Sequence, residues 1–146
     1  MNTSVESNFS TNFLQRINEA LKADQPERFL DECRSLFASI PYNIFIGDRE
    51  AYYHSIIYLV LKLSGAVVMP EEATNRGRID AVVETEKKIY VMEFKLGSES
   101  EAMAQIKHRK YYEKYLGCGK EIVLMGVGFE PQKRNIGKVL TETIPA

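Results

Sequence analysis

Three charged residues in the middle of the chain have the types and spacing of a hydrolytic metal site. Asp80 is followed, after twelve intervening residues, by Glu93, and Lys95 comes two positions later. Carboxylate oxygens are the ligands that Mg²⁺ and Mn²⁺ prefer, and the backbone carbonyl of Phe94 could add another oxygen. A lysine beside such a cation can orient a water nucleophile and stabilise charge on a phosphate. These residues predict metal-assisted hydrolysis of a phosphodiester.

A predicted β-hairpin brings the two carboxylates together. If residues 86–87 form a two-residue loop, the pairing register sets Asp80 opposite Glu93. Opposed side chains have Cβ atoms about 5 Å apart, where like charges destabilise a sheet unless a cation compensates them. Lys95 shares the face of Glu93, because side chains alternate along a strand. The alternative is a surface ladder of salt bridges that includes Arg78. The apolar residues around Glu93 favour a functional site.

The elements that must position these residues follow from apolar spacing and turn residues. Two amphipathic helices, beginning near Phe13 and Pro26, predict a helical hairpin, and a third helix is predicted over 48–63. Strands are predicted over 66–69, 78–84, 88–95 and 121–127, and a helix over 99–116 with Ser98 and Glu101 as its capping box. We expect an α/β fold with a central mixed sheet flanked by helices, in the order αβββαβ, plus the N-terminal hairpin.

Length and composition set the limits of this fold. The 146 residues, of which 45% are hydrophobic and 27% charged, predict one main globular domain. We expect a flexible leader over 1–10, the helical hairpin as a connector or docked appendage over 11–40, and the main domain over 41–146. The net charge of -1 requires any nucleic acid to be held by a local patch. Two scattered cysteines predict a cytoplasmic protein without a zinc site, and no apolar run approaches the roughly 20 residues of a membrane span.

Two helices carry further candidate side chains. Glu50, His54 and Tyr58 share one stripe of the third helix, where His54 is more often a half-buried histidine than a metal ligand. The fourth predicted helix carries basic residues interleaved with tyrosines, a pattern that suits a nucleic-acid backbone or an ordinary solvated surface. Its candidate contacts are Lys107, Arg109, Lys110 and Tyr111, and Arg78, two residues before Asp80, is a further candidate contact. The apolar stripes of the hairpin also permit a homodimer.

A longer pattern resembles a known family. Asp80 with Glu93-Phe94-Lys95 resembles the D...(D/E)-x-K core of the PD-(D/E)XK nuclease superfamily. The resemblance covers roughly residues 41–136. This region is similar to the nuclease domain often found behind an AAA-ATPase-like domain in bacterial proteins. The residues that carry it are Glu72, Thr74, Asn75, the run Gly77-Arg78-Ile79-Asp80, Glu93-Phe94-Lys95, Gln105, Ile106 and Tyr111.

The resemblance implies a restriction-endonuclease-like fold and a nuclease that depends on Mg²⁺ or Mn²⁺. Asp80 and Glu93 would be metal ligands, Lys95 the catalytic lysine and Gln105 a further site residue. Glu50 would be the first-motif acidic residue and a possible ligand, with His54 as the competing choice. The implied partners are nucleic acid, with DNA favoured over RNA, and an ATPase-like domain or protein. The alternative is a catalytically inactive nuclease-fold module that binds nucleic acid or protein.

Overall fold

The fold consists of four α-helices and five strands in the part of the chain that the structure describes. The structure, a computed structural model, describes residues 3–65, 67–69 and 81–146. The helices are α1 (Thr3–Lys22), α2 (Pro26–Ser39), α3 (Glu50–Leu63) and α4 (Glu99–Arg109), with short 3₁₀ helices at Tyr42–Ile44 and Tyr111–Tyr115. The strands are β1 (Val67–Met69), β2 (Ala81–Glu84), β3 (Lys88–Leu96), β4 (Glu121–Glu130) and β5 (Asn135–Ile144).

The strands form one mixed sheet in the order β1-β2-β3-β4-β5. Neighbouring strands are antiparallel except β3 and β4, which are parallel and joined by α4. A parallel return requires such a crossover, so the predicted αβββαβ order and the α/β class are confirmed. Within the described residues the β2–β3 hairpin has the predicted register, because Ala81 pairs with Met92 and Glu84 with Ile89. Asp80, Arg78 and the rest of 70–80 lie outside the described residues.

The two faces of the sheet pack against different helices. One face contacts the helices α1, α2 and α3 through a core that includes Tyr90, Met92 and Phe129. The other face packs on α4, where Ile89 and Val91 contact a smaller cluster with Ile106. Since β3 is buried on both faces, its apolar composition matches its central position in the sheet.

The N-terminal hairpin shares the core of the sheet. Phe29 and Phe37 of α2 are almost fully buried in the same cluster as the sheet residues. Polar contacts add to this packing: Asn18 Nδ2 donates to the Ser64 carbonyl at 2.8 Å, and Asn135 Nδ2 donates to the Arg34 carbonyl at 3.0 Å. The predicted hairpin is therefore docked, although its division from the main domain stays a prediction.

The main differences from the sequence-based prediction are three element boundaries and one further strand. Helix α1 begins at Thr3, ten residues before the predicted start near Phe13; the division that sets off residues 1–10 as a leader stays a prediction. Helix α4 ends at Arg109 instead of residue 116, because Lys110 takes a left-handed conformation (φ 56°) that stops the helix. Strand β4 continues to Glu130, and β5 was not predicted. Most side chains of β5 are exposed or half-buried, so its polar residues gave no core pattern.

Helix α3 is less covered than its apolar composition predicts. Leu59 and Leu63 are exposed by 56% and 68%. They line an open, largely apolar groove of about 650 Å³ between α3 and the hairpin, together with Phe13 and Leu36. None of the helices in the described residues has the length and hydropathy that a membrane-spanning segment needs.

Candidate active site

Glu93 is a buried carboxylate at the centre of the sheet. Its side chain is 2% exposed, and its oxygen Oε1 accepts a hydrogen bond from Arg109 Nη1 at 2.5 Å. Alternation along β3 places Glu93 on the face that α4 covers, together with Val91. Taking a carboxylate out of water costs several kcal/mol unless charge or hydrogen bonds compensate it, so its burial here calls for a partner cation.

Two glycines of β4 allow α4 to approach the site. Gly126 pairs with Glu93 across the parallel ladder, and Gly128 pairs with Lys95. A Cβ atom on Gly126 would lie 2.7 Å from the Met103 backbone nitrogen, and one on Gly128 would lie 2.9 Å from the Glu99 nitrogen. Both distances are shorter than a Cβ atom can approach a backbone atom, so no residue with a side chain fits at either position without a shift of the backbone. The glycines therefore let the helix backbone contact the strand, which positions Arg109 beside Glu93.

The start of α4 is fixed by the predicted cap. Ser98 Oγ accepts a hydrogen bond from the Glu101 backbone nitrogen at 3.1 Å. Such a cap satisfies one of the amide groups that a helix N-terminus leaves open. Gln105 lies half-buried on this helix, one turn before Arg109. Residues at this spacing share a helix face, so Gln105 lies on the side of α4 from which Arg109 reaches the carboxylate.

Lys95 lies at the end of β3 beside Glu50. The Lys95 Nζ atom is 3.5 Å from Glu50 Oε1, and the same oxygen accepts a hydrogen bond from the Leu96 backbone nitrogen at 2.8 Å. Glu50 is the first residue of α3, where the positive end of the helix dipole favours a carboxylate. The side chain thus joins the start of α3 to the end of β3 and holds the lysine ammonium near the site.

His54 lies on the other side of β3 from Glu93. Its ring centroid is 5.6 Å from that of Phe94 and 6.4 Å from that of Tyr58. Phe94 points into the core that contacts the helices α1 to α3. Of the two first-motif candidates, Glu50 is therefore the one that contacts Lys95, while His54 packs among aromatic rings.

The predicted nucleic-acid contacts have different environments. Arg109 bonds Glu93 and is 23% exposed, so it points into the site instead of outward. Lys107 pairs with Glu142 at 2.7 Å and stays about half exposed, and Lys110 is exposed at the end of α4. Arg78 and the side chain of Tyr111 lie outside the described part of the chain. Lys107 and Lys110 are thus the accessible basic residues among these candidates.

The donor chemistry at Glu93 fits a hard divalent cation. Mg²⁺ is usually held by one or two carboxylates with waters completing its shell, and Glu93 supplies a carboxylate whose Oε2 atom is also shielded from solvent. Within the described ranges, no three His, Cys, Asp or Glu side chains lie together as a complete ligand set. The predicted second carboxylate, Asp80, lies outside those ranges. The metal roles of Asp80, Glu50 and the Phe94 carbonyl stay predictions.

The two cysteines are not part of this site. Cys33 is buried in the helical core, where desolvation raises the pKa of its thiol to about 12, and Cys118 is exposed. A thiol with so high a pKa stays protonated near neutral pH and is a poor metal ligand.

A helix-flanked mixed sheet that carries a buried glutamate two residues before a lysine defines a restriction-endonuclease-like nuclease fold. A sequence profile of the PD-(D/E)XK nuclease superfamily matches residues 48–139. The chain belongs to this superfamily, whose characteristic activity is nuclease activity.

One curated relative matches most of this chain. An uncharacterized protein in the vnfD 5′ region of Azotobacter chroococcum mcd 1 is 34% identical over an alignment of 117 residues, and the alignment covers 75% of this chain. The chain spans only 23% of that relative's length. No solved structure matches the chain.

Two features of the site were not predicted from the sequence. Arg109 was expected on a nucleic-acid surface, yet it pairs with Glu93. Its position one turn after Gln105 is the pattern that could have placed it in the site. Gly126 lies in the predicted strand over 121–127 and Gly128 directly follows it, and glycines at this spacing indicate close backbone approach on one face.

Proposed function

We propose that the protein is a metal-dependent nuclease that hydrolyses phosphodiester bonds of nucleic acid, with DNA preferred over RNA. The observation that carries this proposal is the pair of charged groups on β3. Glu93 is an almost fully buried carboxylate, and Lys95, two residues later, is held by Glu50 at the strand end. A purely structural strand has little reason to bury an acid in this way.

Each residue has a role in the proposed reaction. Glu93 and Asp80 would hold Mg²⁺ or Mn²⁺, with the Phe94 carbonyl as a further oxygen ligand. A divalent cation at this position supplies Lewis-acid stabilisation of the charge that develops on the scissile phosphate. The ammonium of Lys95 donates hydrogen bonds to a phosphate oxygen and orients the attacking water. Glu50 keeps that ammonium in place through its contact at 3.5 Å.

The substrate would enter along α4. Lys107 and Lys110 are exposed on this helix and at its end, where they can contact phosphate oxygens. Gln105 would lie between this surface and the carboxylate. The resemblance to nuclease domains that follow AAA-ATPase-like domains supports a further proposal, an ATPase-like domain or protein as a partner that brings substrate to the nuclease.

The second candidate function is a nuclease-fold module that binds nucleic acid or protein without cutting. The observation that favours it is the ion pair between Arg109 and Glu93, which already supplies a counter-charge to the central carboxylate. This alternative predicts that the folded protein does not bind Mn²⁺ through Glu93.

Cleavage of four labelled polymers tests the proposed function. Single- and double-stranded DNA and RNA are incubated with Mg²⁺, Mn²⁺ or EDTA, using wild type and an identically purified Glu93→Ala variant. We expect metal-dependent cutting of DNA by wild type and none by the variant. Cutting by a contaminating nuclease would persist in the variant preparation, so its loss there assigns the activity to this protein. Equal cutting by both proteins would contradict the proposal.

A further inference from the structure

Among the described residues, Arg109 supplies a counter-charge to Glu93, whose carboxylate is almost fully buried. The Arg109 side chain is itself 23% exposed, so the ion pair with Glu93 is largely withdrawn from water. Charge-assisted hydrogen bonds are stronger in such surroundings, and removing one partner of a buried pair is more costly than at a surface. Loss of this guanidinium would remove the counter-charge that the described residues place on Glu93.

The backbone holds Arg109 in this position. It is the last residue of α4, and the next residue, Lys110, donates its backbone N–H to the Ile106 carbonyl at 3.0 Å. The negative end of the helix dipole favours a cation here. The close packing of α4 on Gly126 fixes the helix relative to Glu93. The arginine Cα is therefore fixed, while its long side chain can still rotate toward solvent.

We propose that Arg109 acts as an internal stand-in for the divalent cation at Glu93. It neutralises the buried carboxylate when no cation is bound, and a cation that binds this carboxylate competes with the guanidinium for the same negative charge. The affinity of the site for Mg²⁺ or Mn²⁺ is then set by competition with the guanidinium. This inference rests on the proposed function, because it requires Glu93 to hold a divalent cation. The inference predicts that removal of the Arg109 guanidinium increases the affinity of the site for the metal.

Calorimetric titration with Mn²⁺ tests the competition without measuring activity. The proteins are wild type, Arg109→Gln, Arg109→Lys and Glu93→Gln, with Lys133→Gln as the control that removes a positive charge at an exposed position outside the proposed site. We expect Arg109→Gln to bind Mn²⁺ about tenfold more tightly than wild type, since close charge pairs of this kind have large coupling energies. Lys133→Gln should bind Mn²⁺ as wild type does, and Glu93→Gln should not bind it.

Thermal unfolding of the same proteins gives a second readout. Without metal, Arg109→Gln should unfold at a lower temperature than wild type, because Glu93 loses its counter-charge. Saturating Mn²⁺ should remove most of this difference, since a ligand that binds the folded state stabilises it. Arg109→Lys keeps the charge but not the planar guanidinium, so it should fold well and show an intermediate Mn²⁺ affinity even if Arg109→Gln is too unstable to titrate.

The outcomes separate this inference from the proposed function. If wild type and both Arg109 variants bind Mn²⁺ equally through Glu93, the competition is refuted and the metal site stands. Weaker binding by the Arg109 variants also refutes it, because the guanidinium would then support the cation. If none of the folded proteins binds Mn²⁺, the inference and the proposed metal-dependent function both fail.

Discussion

Substitution of Lys95 by Met is expected to slow metal-dependent cleavage by about a hundredfold or more. The methionine keeps most of the length of the side chain but removes the ammonium that we propose contacts the scissile phosphate. Glu93 is untouched, so Mn²⁺ binding should be retained within a few fold. Single-turnover cleavage and calorimetry on the same protein separate the two effects.

Lys88→Met is the matched control for this experiment. Lys88 lies at the opposite end of the same strand, where its Nζ is 3.9 Å from Glu121 Oε2, a weak and partly exposed pair. The control should cleave at the wild-type rate. A Lys95→Met protein that also cleaves at the wild-type rate would remove Lys95 from the mechanism.

Substitution of Gly126 by Ala is expected to lower the free energy of unfolding by about 3 kcal/mol. The added Cβ would lie 2.7 Å from both the Glu99 carbonyl oxygen and the Met103 backbone nitrogen, so α4 or β4 must shift. Backbone atoms cannot rotate away as a side chain can. A loss of this size is a large fraction of the stability of a typical domain, and urea-induced unfolding measures it.

Gly137→Ala provides the comparison on the neighbouring strand. A Cβ there would meet the side chain of Glu130 at 2.7 Å, and that side chain is partly exposed and can move. We expect a loss of less than about 1 kcal/mol. Equal stabilities of the two variants would mean that the packing of α4 on β4 does not require a residue without a side chain at Gly126.

Local patterns predicted the parts of the fold that local interactions decide. The loop at residues 86–87 sets the β2–β3 register by itself, because Lys88 N donates to Thr85 Oγ1 at 3.0 Å and closes the turn. Ser98 likewise fixes the start of α4 by capping its first turn. The end of α4 was not predictable in this way, since no glycine or proline marks the left-handed residue at Lys110.

The site was predictable in its residue types and less so in its contacts. The spacing of Glu93 and Lys95 identified the strand, and the stripe on α3 identified Glu50 and His54 together. Glu50 and His54 are one helical turn apart, so periodicity could not choose between them. The choice depends on how α3 packs around the end of β3, where Glu50 reaches Lys95 and the Leu96 backbone. The same holds for Arg109, whose partner is set by tertiary packing.

The most direct test of the account is the position of Mn²⁺ in crystals of the wild-type protein. Anomalous scattering locates the ion without reference to activity. The account predicts one strong peak within about 2.2 Å of a Glu93 carboxylate oxygen, with Asp80 as a second ligand, and no such peak in Glu93→Gln crystals. A well-ordered wild-type crystal with no manganese at Glu93, or with its manganese bound elsewhere, would contradict the claim that this buried glutamate is the metal centre of a nuclease.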